Sequence, residues 1–371
     1  MATARSVALE ALVRIDGGAY ANLVLPPMLD RSGLSDRDRH LVTELVYGSA
    51  RMQRAVDWLI DVHLRRPVEP TVRAALRLGA YQLAFLGTPP HAAVGETVQA
   101  TPLRARSIVN AVLRKVAAAP PPRWPDTATE LSYPDWIPPA LVGAVGADAA
   151  DAALRVMNES PTVTRRADGY VQDLASQWVA DLVDAAPGHT VVDLCAGPGG
   201  KSTALARRAE LVVASDAQPM RARLVAENAD RLGITNVAVV AADGRRPAVR
   251  TGCADRVLVD APCSGLGVLR RRPDARWRVD AADVPLLAAL QRALVTGAVD
   301  LLAPRGVLVY SVCTLTLEET VGVDEWLAAH RPDLVALEPP GPPWEVVGRG
   351  ARLLPQAAGT DGMYVLRVRR P

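Results

Sequence analysis

Two cysteines and three aspartates of this 371-residue chain stand at or just past the ends of short apolar runs. Asp216 ends L-V-V-A-S-D, and Asp243 ends the run that begins at Val237. Asp260 ends R-V-L-V-D and leads through Pro262 into Cys263; Val307 to Ser311 leads through Val312 into Cys313. Apolar runs of this length, bounded by turn residues, read as buried strands. In open α/β sheets ligands bind at the carboxyl ends of the strands, so all five residues fall along one functional edge. A cysteine there is a candidate nucleophile, because its thiolate is accessible near neutral pH and strongly nucleophilic. Asp216 lies about twenty residues past the first loop, where doubly wound folds place the acid that binds a ribose diol. Lys201 is one of only two lysines, with Lys115, among 42 basic residues. A chain that uses arginine almost everywhere else points to a compact ammonium being wanted here, near a ligand or Asp260.

These residues need a frame, and its centre is T-V-V-D-L-C-A-G-P-G-G-K-S-T, Thr190 to Thr203. It reads as a strand to Leu194, a glycine turn, and a helix running through Leu205. Glycines let a backbone approach a ligand closely, and a helix start offers unpaired N–H groups. A phosphate-binding loop would need glycine at Cys195, and a dinucleotide fingerprint would need glycine at Ser202; both readings fail on spacing. The chemistry-bearing strands at 211–216, 237–243, 256–260 and 307–311 then build the rest of a doubly wound sheet, with Gly362 to Arg370 as its last, alternating strand.

D-L-C-A-G-P-G-G-K, then D-A-P-C-S-G-L-G-V-L-R-R-R-P-D-A-R-W, then Y-S-V-C-T-L-T-L-E-E-T together resemble the signature motifs of RNA cytosine-5 methyltransferases of the Sun/Fmu (RsmB) type. The resemblance implies a Rossmann-like domain whose last strand runs antiparallel and closes a seven-stranded sheet. It implies S-adenosylmethionine as cofactor, S-adenosylhomocysteine as product, and no metal. The implied cofactor site is Cys195, Ala196, Gly197, Pro198, Gly199, Gly200, Lys201, Asp216, Asp243 and Asp260. Catalysis would rest on Cys313, Cys263, Asp260 and Lys201. Carbon 5 of cytosine is a poor nucleophile until a thiolate adds to carbon 6. The resemblance gives that attack to Cys313, product release to Cys263, and a contact with the cytosine edge to Asp260. DNA cytosine-5 enzymes use the Pro-Cys cysteine to attack instead. Val312 stands where the RNA family usually has threonine.

At 49% hydrophobic the chain can bury a large core and two domains, and with a single Phe the cores must be built from Leu, Val and Ala. Cysteines 195, 253, 263 and 313 form no C-x-x-C pair, which argues against zinc and for free thiols. The reading finds no signal peptide and no apolar run near eighteen residues, so a cytoplasmic protein with no membrane partner is expected. Residues 1–125 carry 16 Lys+Arg against 10 Asp+Glu, whereas the remainder is net acidic. A basic half suits a nucleic-acid partner.

That half reads as helices. Ala4 to Asp16 sets Ala8, Ala11, Leu12 and Ile15 on one face; Ser35 and Asp38 resemble a capping box. Val72, Leu76, Gly79, Leu83 and Leu86 form a core stripe. H-A-A-V-G-E-T-V and I-V-N-A-V-L-R-K-V resemble segments of the NusB-type RNA-binding domain, which precedes the methyltransferase in the RsmB type. The expected organisation is an all-α NusB-like domain over 1–125, a linker and helical connection over 126–168, and the catalytic domain over 169–371. Leu131 to Pro139 is expected to dock on the following domain. The family commonly carries a small RNA-binding subdomain between sequences like Ser160-Pro161-Thr162 and Gly169-Tyr170-Val171-Gln172-Asp173. Only Val163 to Asp168 separate them here, so that unit is missing. The function implied is cytosine-5 methylation of RNA, with 16S ribosomal RNA as the partner, by a monomer needing no protein partner. A transfer-RNA methyltransferase and a non-catalytic RNA-binding or antitermination protein are the alternatives. Arg270, Arg271 and Arg272 are candidates to hold RNA phosphates.

Overall fold

A computed structural model describes residues 2–371. The described residues form two compact units: 2–138 with 271–278, and 139–270 with 279–371.

The first unit is helical: Ala4–Asp16, Ala21–Arg31, Asp36–Arg51, Gln53–Asp61, Pro70–Ala84, Pro90–Ala100 and Arg106–Ala118. Thr3 and Ser6 close the first helix reciprocally, each hydroxyl accepting the other's backbone N–H. Ser35 caps the third by accepting the Asp38 N–H at 3.2 Å, while the Asp38 carboxylate takes the Ser35 hydroxyl rather than its N–H. The stripe from Val72 is buried through Gly79, but its last member, Leu86, is exposed. The Phe85 and Leu86 N–H groups both close on the Tyr81 carbonyl, so the helix ends at Ala84 before Leu86 can turn inward.

Leu131 to Pro138 join this helical unit, not the following one as expected. The reason is Arg54, whose guanidinium reaches Thr129 Oγ1, the Tyr133 carbonyl and Asp135. Residues 271–278 also belong here, although they come from the second half of the sequence. Trp277 Nε1 donates to the Ala50 carbonyl at 2.7 Å. Arg276 is fully buried with its guanidinium 4.1 Å from the Tyr133 ring, and burial pushes its pKa down to about 10.

The second unit is an α/β sandwich around one sheet of nine strands: β1 Thr190–Asp193, β2 Leu211–Asp216, β3 Val237–Ala241, β4 Ala254–Asp260, β5 Leu302–Val312, β6 Val335–Ala336, β7 Glu345–Val347, β8 Gly350–Leu353 and β9 Met363–Arg369. The order β3-β2-β1-β4-β5 is parallel, and β9 lies antiparallel to β5. The expected count was seven. The hairpin of β7 and β8 adds two, pairing β8 with β9 beyond the stub β6, so the last strand is flanked on both sides.

Both sheet faces are covered, which is why the parallel strands read as unbroken apolar runs. Alternation sends Leu308, Tyr310 and Val312 to one core with Val295, Ala298 and Leu327. Val307 and Val309 go to the other with Val179, Leu205 and Val225. Each fully buried Val or Leu contributes about 1.5–3 kcal/mol. The helix Asp283–Leu301 is the described stretch that comes nearest to membrane-spanning length, with Arg292 and Asp300 interrupting its apolar residues. By length and composition alone it could cross a membrane, at a mean hydropathy of 1.4. Its Val295, Ala298 and Leu301 are buried against the sheet, and a helix serving such a core is apolar without a membrane.

Candidate active site

β4 and β5 are neighbours with Asp260 opposite Ser311, so the loops leaving them emerge side by side. Cys263 and Cys313 therefore meet, with Sγ atoms 3.3 Å apart although fifty residues separate them. Gly267 holds the loops together: its N–H donates to the Cys313 carbonyl at 3.0 Å and its carbonyl accepts the Gly362 N–H. A Cβ at Gly267 would lie 2.1 Å from the Gly362 oxygen, so no side chain fits. Beneath them Glu319, fully buried, accepts from the Ser264 N–H, the Ser264 hydroxyl, Thr316 Oγ1 and Gln291 Nε2. Ser264 and Thr314, the residues just after each cysteine, share a 2.7 Å hydroxyl contact. Val312 is buried in the strand core.

Lys201, in the first turn of the helix Gly200–Ala206, reaches Asp260 Oδ2 at 2.6 Å, and Ser311 donates to Asp260 Oδ1 at 2.8 Å. Burial works to lower the Lys201 pKa, yet the Asp260 charge and hydrogen bond, with Cys313 and Asp193 behind them, leave it raised. The hydrogen bond with Cys313, followed by burial, holds the Cys263 thiol well above its ordinary value. The Cys195 thiol is also pushed up, first by burial and then by Asp193, Asp260 and Asp216.

The loop Cys195 to Gly200 passes under the end of β2. Asp216 Oδ2 accepts the Gly197 N–H at 3.0 Å and the Arg221 guanidinium at 3.1 Å, and Oδ1 accepts the Gln218 N–H. A Cβ at Gly197 would sit 2.6 Å from Asp216 Oδ2, and Gly199 takes φ +104. The Ala196 and Gly199 N–H groups are taken by the Ser215 and Ala196 carbonyls, so the loop is a tight glycine turn set against a carboxylate at the end of β2, a place that suits a nucleoside carrying a ribose diol. Asp243 sits apart at the end of β3, clasped by its neighbour Arg245, which lowers its pKa through hydrogen bonds. Cys253 lies in the turn before β4, away from the cysteine pair. Among the described residues no group of three His, Cys, Asp or Glu could hold a metal ion.

Residues absent from the sequence reading complete the site. Ser264, Thr314 and Glu319 lie inside the quoted motifs, and for Ser264 and Thr314 adjacency to the cysteines was the available signal. Arg166 carried none. Thr164 to Gln172 form a tight hairpin, with Arg165 bridged to Val171. From it Arg166 reaches the Gly200 carbonyl, Thr203 and Asp168, and stacks 4.7 Å from the Tyr170 ring centre. Of the arginines proposed for RNA, Arg270 is buried, Arg271 half-buried and Arg272 exposed.

Comparison with known proteins gives the chain a family. Residues 180–369 match the family described as 16S rRNA methyltransferase RsmB/F, and residues 2–118 match the NusB family. The ribosomal RNA small subunit methyltransferase B of Thermus thermophilus is 37% identical over 399 positions, spanning 99% of this chain and 98% of that protein. The putative methyltransferase Rv1407 of Mycobacterium tuberculosis is 36% identical over 445 positions, spanning 99% of this chain and 96% of that protein. Both alignments exceed the 371 residues here, so this chain is gapped against each. The crystal structure of PH0851 shares the fold, with a TM-score of 0.85 at 21% identity over 100% of this chain and 99% of that one. The chain belongs to the 16S rRNA methyltransferase RsmB/F family, with a NusB-family segment ahead of its methyltransferase half.

Proposed function

We propose that this protein is a cytoplasmic, S-adenosylmethionine-dependent RNA cytosine-5 methyltransferase acting on 16S ribosomal RNA through a covalent cysteine adduct. The observation that carries the reading is the pair of thiols 3.3 Å apart beside the Lys201–Asp260 ion pair. The names of the relatives favour ribosomal over transfer RNA. S-adenosylmethionine would supply an electrophilic methyl sulfonium, held by the loop Cys195 to Gly200 with Lys201 and by Asp216, Asp243 and Asp260.

Cys313 attacks carbon 6 of the cytosine, which makes carbon 5 nucleophilic. Asp260, fixed by Lys201 and Ser311, keeps an oxygen edge for the base. Loss of the carbon-5 proton to a base restores the ring and expels the Cys313 sulfur. Cys263 holds its proton and lies within reach of that sulfur, so it is placed to donate the proton to the departing Cys313 thiolate. The basic helical region 1–125 supplies RNA affinity, and the six residues between Thr162 and Gly169 leave no room for a further RNA-binding subdomain.

Nucleoside mass spectrometry of ribosomal RNA from a deletion strain, with a denaturing gel of two variants, tests this. Cys313→Ala should lose methyl transfer by at least ~10⁴-fold and form no adduct. Cys263→Ala should accumulate protein covalently tied to RNA. Adduct in Cys313→Ala alone would make Cys263 the nucleophile. Intact methylation in both variants would remove the covalent mechanism.

A further inference from the structure

At the opposite, amino edge of the sheet lies a cavity of about 260 Å³ into which four arginines converge. Arg256 on β4, Val307 on β5 and Arg369 on β9 stand in one row of the sheet, and Arg367 is two residues along on the same face. Arg305 comes from the start of β5, and Asp184 supplies the one carboxylate; Val307 and Leu337 form the apolar floor. Val307 lies six residues before Cys313, which follows the end of β5, so the cavity lies about 20 Å from the cysteines.

The charge there is unbalanced. Asp184 lies 3.5 Å from Arg256. The side chains of Arg305, Arg367 and Arg369 make no ion pair within 4.0 Å among the described residues; their backbones are engaged, the Arg305 N–H with the Pro371 oxygen and the Arg367 carbonyl with the Leu337 N–H. Arg367 Nε is buried without a hydrogen-bond partner. Backbone strain gathers at the same place. Asp184 and Arg305 take φ +54 and +65, two of only three non-glycine residues with positive φ among those described. Non-glycine residues in this conformation are strained and tend to cluster at functional sites. Like charges drawn into one concave site repel unless an anion joins them, and guanidinium forks match phosphate oxygens in pairs.

We propose that this cavity is a binding pocket for a phosphate group, carried by an RNA backbone or by a small phosphorylated molecule. Neither the cofactor nor the cysteines take part, so the pocket stands independently of the methylation reading.

The full-length protein is titrated calorimetrically with inorganic pyrophosphate at low ionic strength. Saturable binding is expected, weakening at least ~10-fold in Arg305→Gly or Arg367→Gln, the loss expected for one charge-assisted hydrogen bond. Arg305→Gly safeguards the test, because Arg305 is exposed and glycine adopts its backbone conformation freely. A short RNA oligonucleotide is the second probe. A parallel loss of RNA affinity in the variant, with a shallower salt dependence, assigns the pocket to the RNA backbone. Unchanged RNA affinity beside lost pyrophosphate binding assigns it to a small phosphorylated molecule. No saturable pyrophosphate binding by the native protein, or binding weakened in neither variant, overturns the proposal.

Discussion

Lys201 Nζ and Asp260 Oδ2 lie 2.6 Å apart, joining the glycine loop after β1 to the end of β4. The pair is mostly enclosed, with the lysine side chain 11% and the aspartate 30% exposed. Asp260→Asn would strand a buried ammonium. Allowing for the exposed aspartate edge, stability should fall by about 1–3 kcal/mol, read from urea midpoints, and methyl transfer by at least ~100-fold. Lys201→Arg should not restore activity, because a planar guanidinium cannot occupy the space of a compact ammonium. Full activity in Asp260→Asn would remove Asp260 from the site.

Glu319 ties the two cysteine loops through four donors. Glu319→Gln keeps the size but turns an N–H group toward those donors. A loss of about 1–3 kcal/mol is expected for the unmet hydrogen bonds. A fall in kcat should accompany it with little change in cofactor affinity, since the residue positions the Cys263 loop. An unchanged kcat in a folded variant would show that the loops hold without it.

Asp216 is the acid at the end of β2. Asp216→Ala should weaken S-adenosylmethionine binding roughly 10–100-fold, the worth of charge-assisted hydrogen bonds at about 1.5–3 kcal/mol. The same change frees Arg221 and the Gly197 N–H, so loop order should fall as well. Calorimetry giving native affinity would contradict the assignment.

Asp193, at the end of β1, is 1% exposed and accepts the Ser202 hydroxyl at 2.7 Å. Burial, with Asp260 nearby, pushes its carboxyl up to about 7 from an ordinary 3.8. The folded state thus holds this proton more tightly than the unfolded state. Stability fully present below about pH 4 is lost as pH rises through 7. Asp193→Asn removes the ionisation, so its urea midpoint should exceed the native one at pH 8, with the advantage shrinking as pH falls to 4. Identical pH profiles for the two proteins would assign the titration elsewhere.

The amino-acid sequence alone determined the parallel strands and the loop that follows the first. A short apolar run ended by an aspartate or glycine is a local signal, and burial of both sheet faces makes it continuous. The Leu211–Asp216 strand and the Ala4–Asp16 helix occupy the spans their patterns predict. Tertiary structure decided what those patterns could not carry. Cys263 meets Cys313, Glu319 gathers Ser264, and Trp277 finds Ala50 across 50, 55 and 227 residues respectively. Nothing in a 271–278 segment flanked by catalytic-half sequence marks it as part of the helical unit. Four scattered arginines become one cavity only when β4, β5 and β9 align in register. Periodicity reports which face of an element is buried; strand order and crossover connections decide which distant side chains share that face.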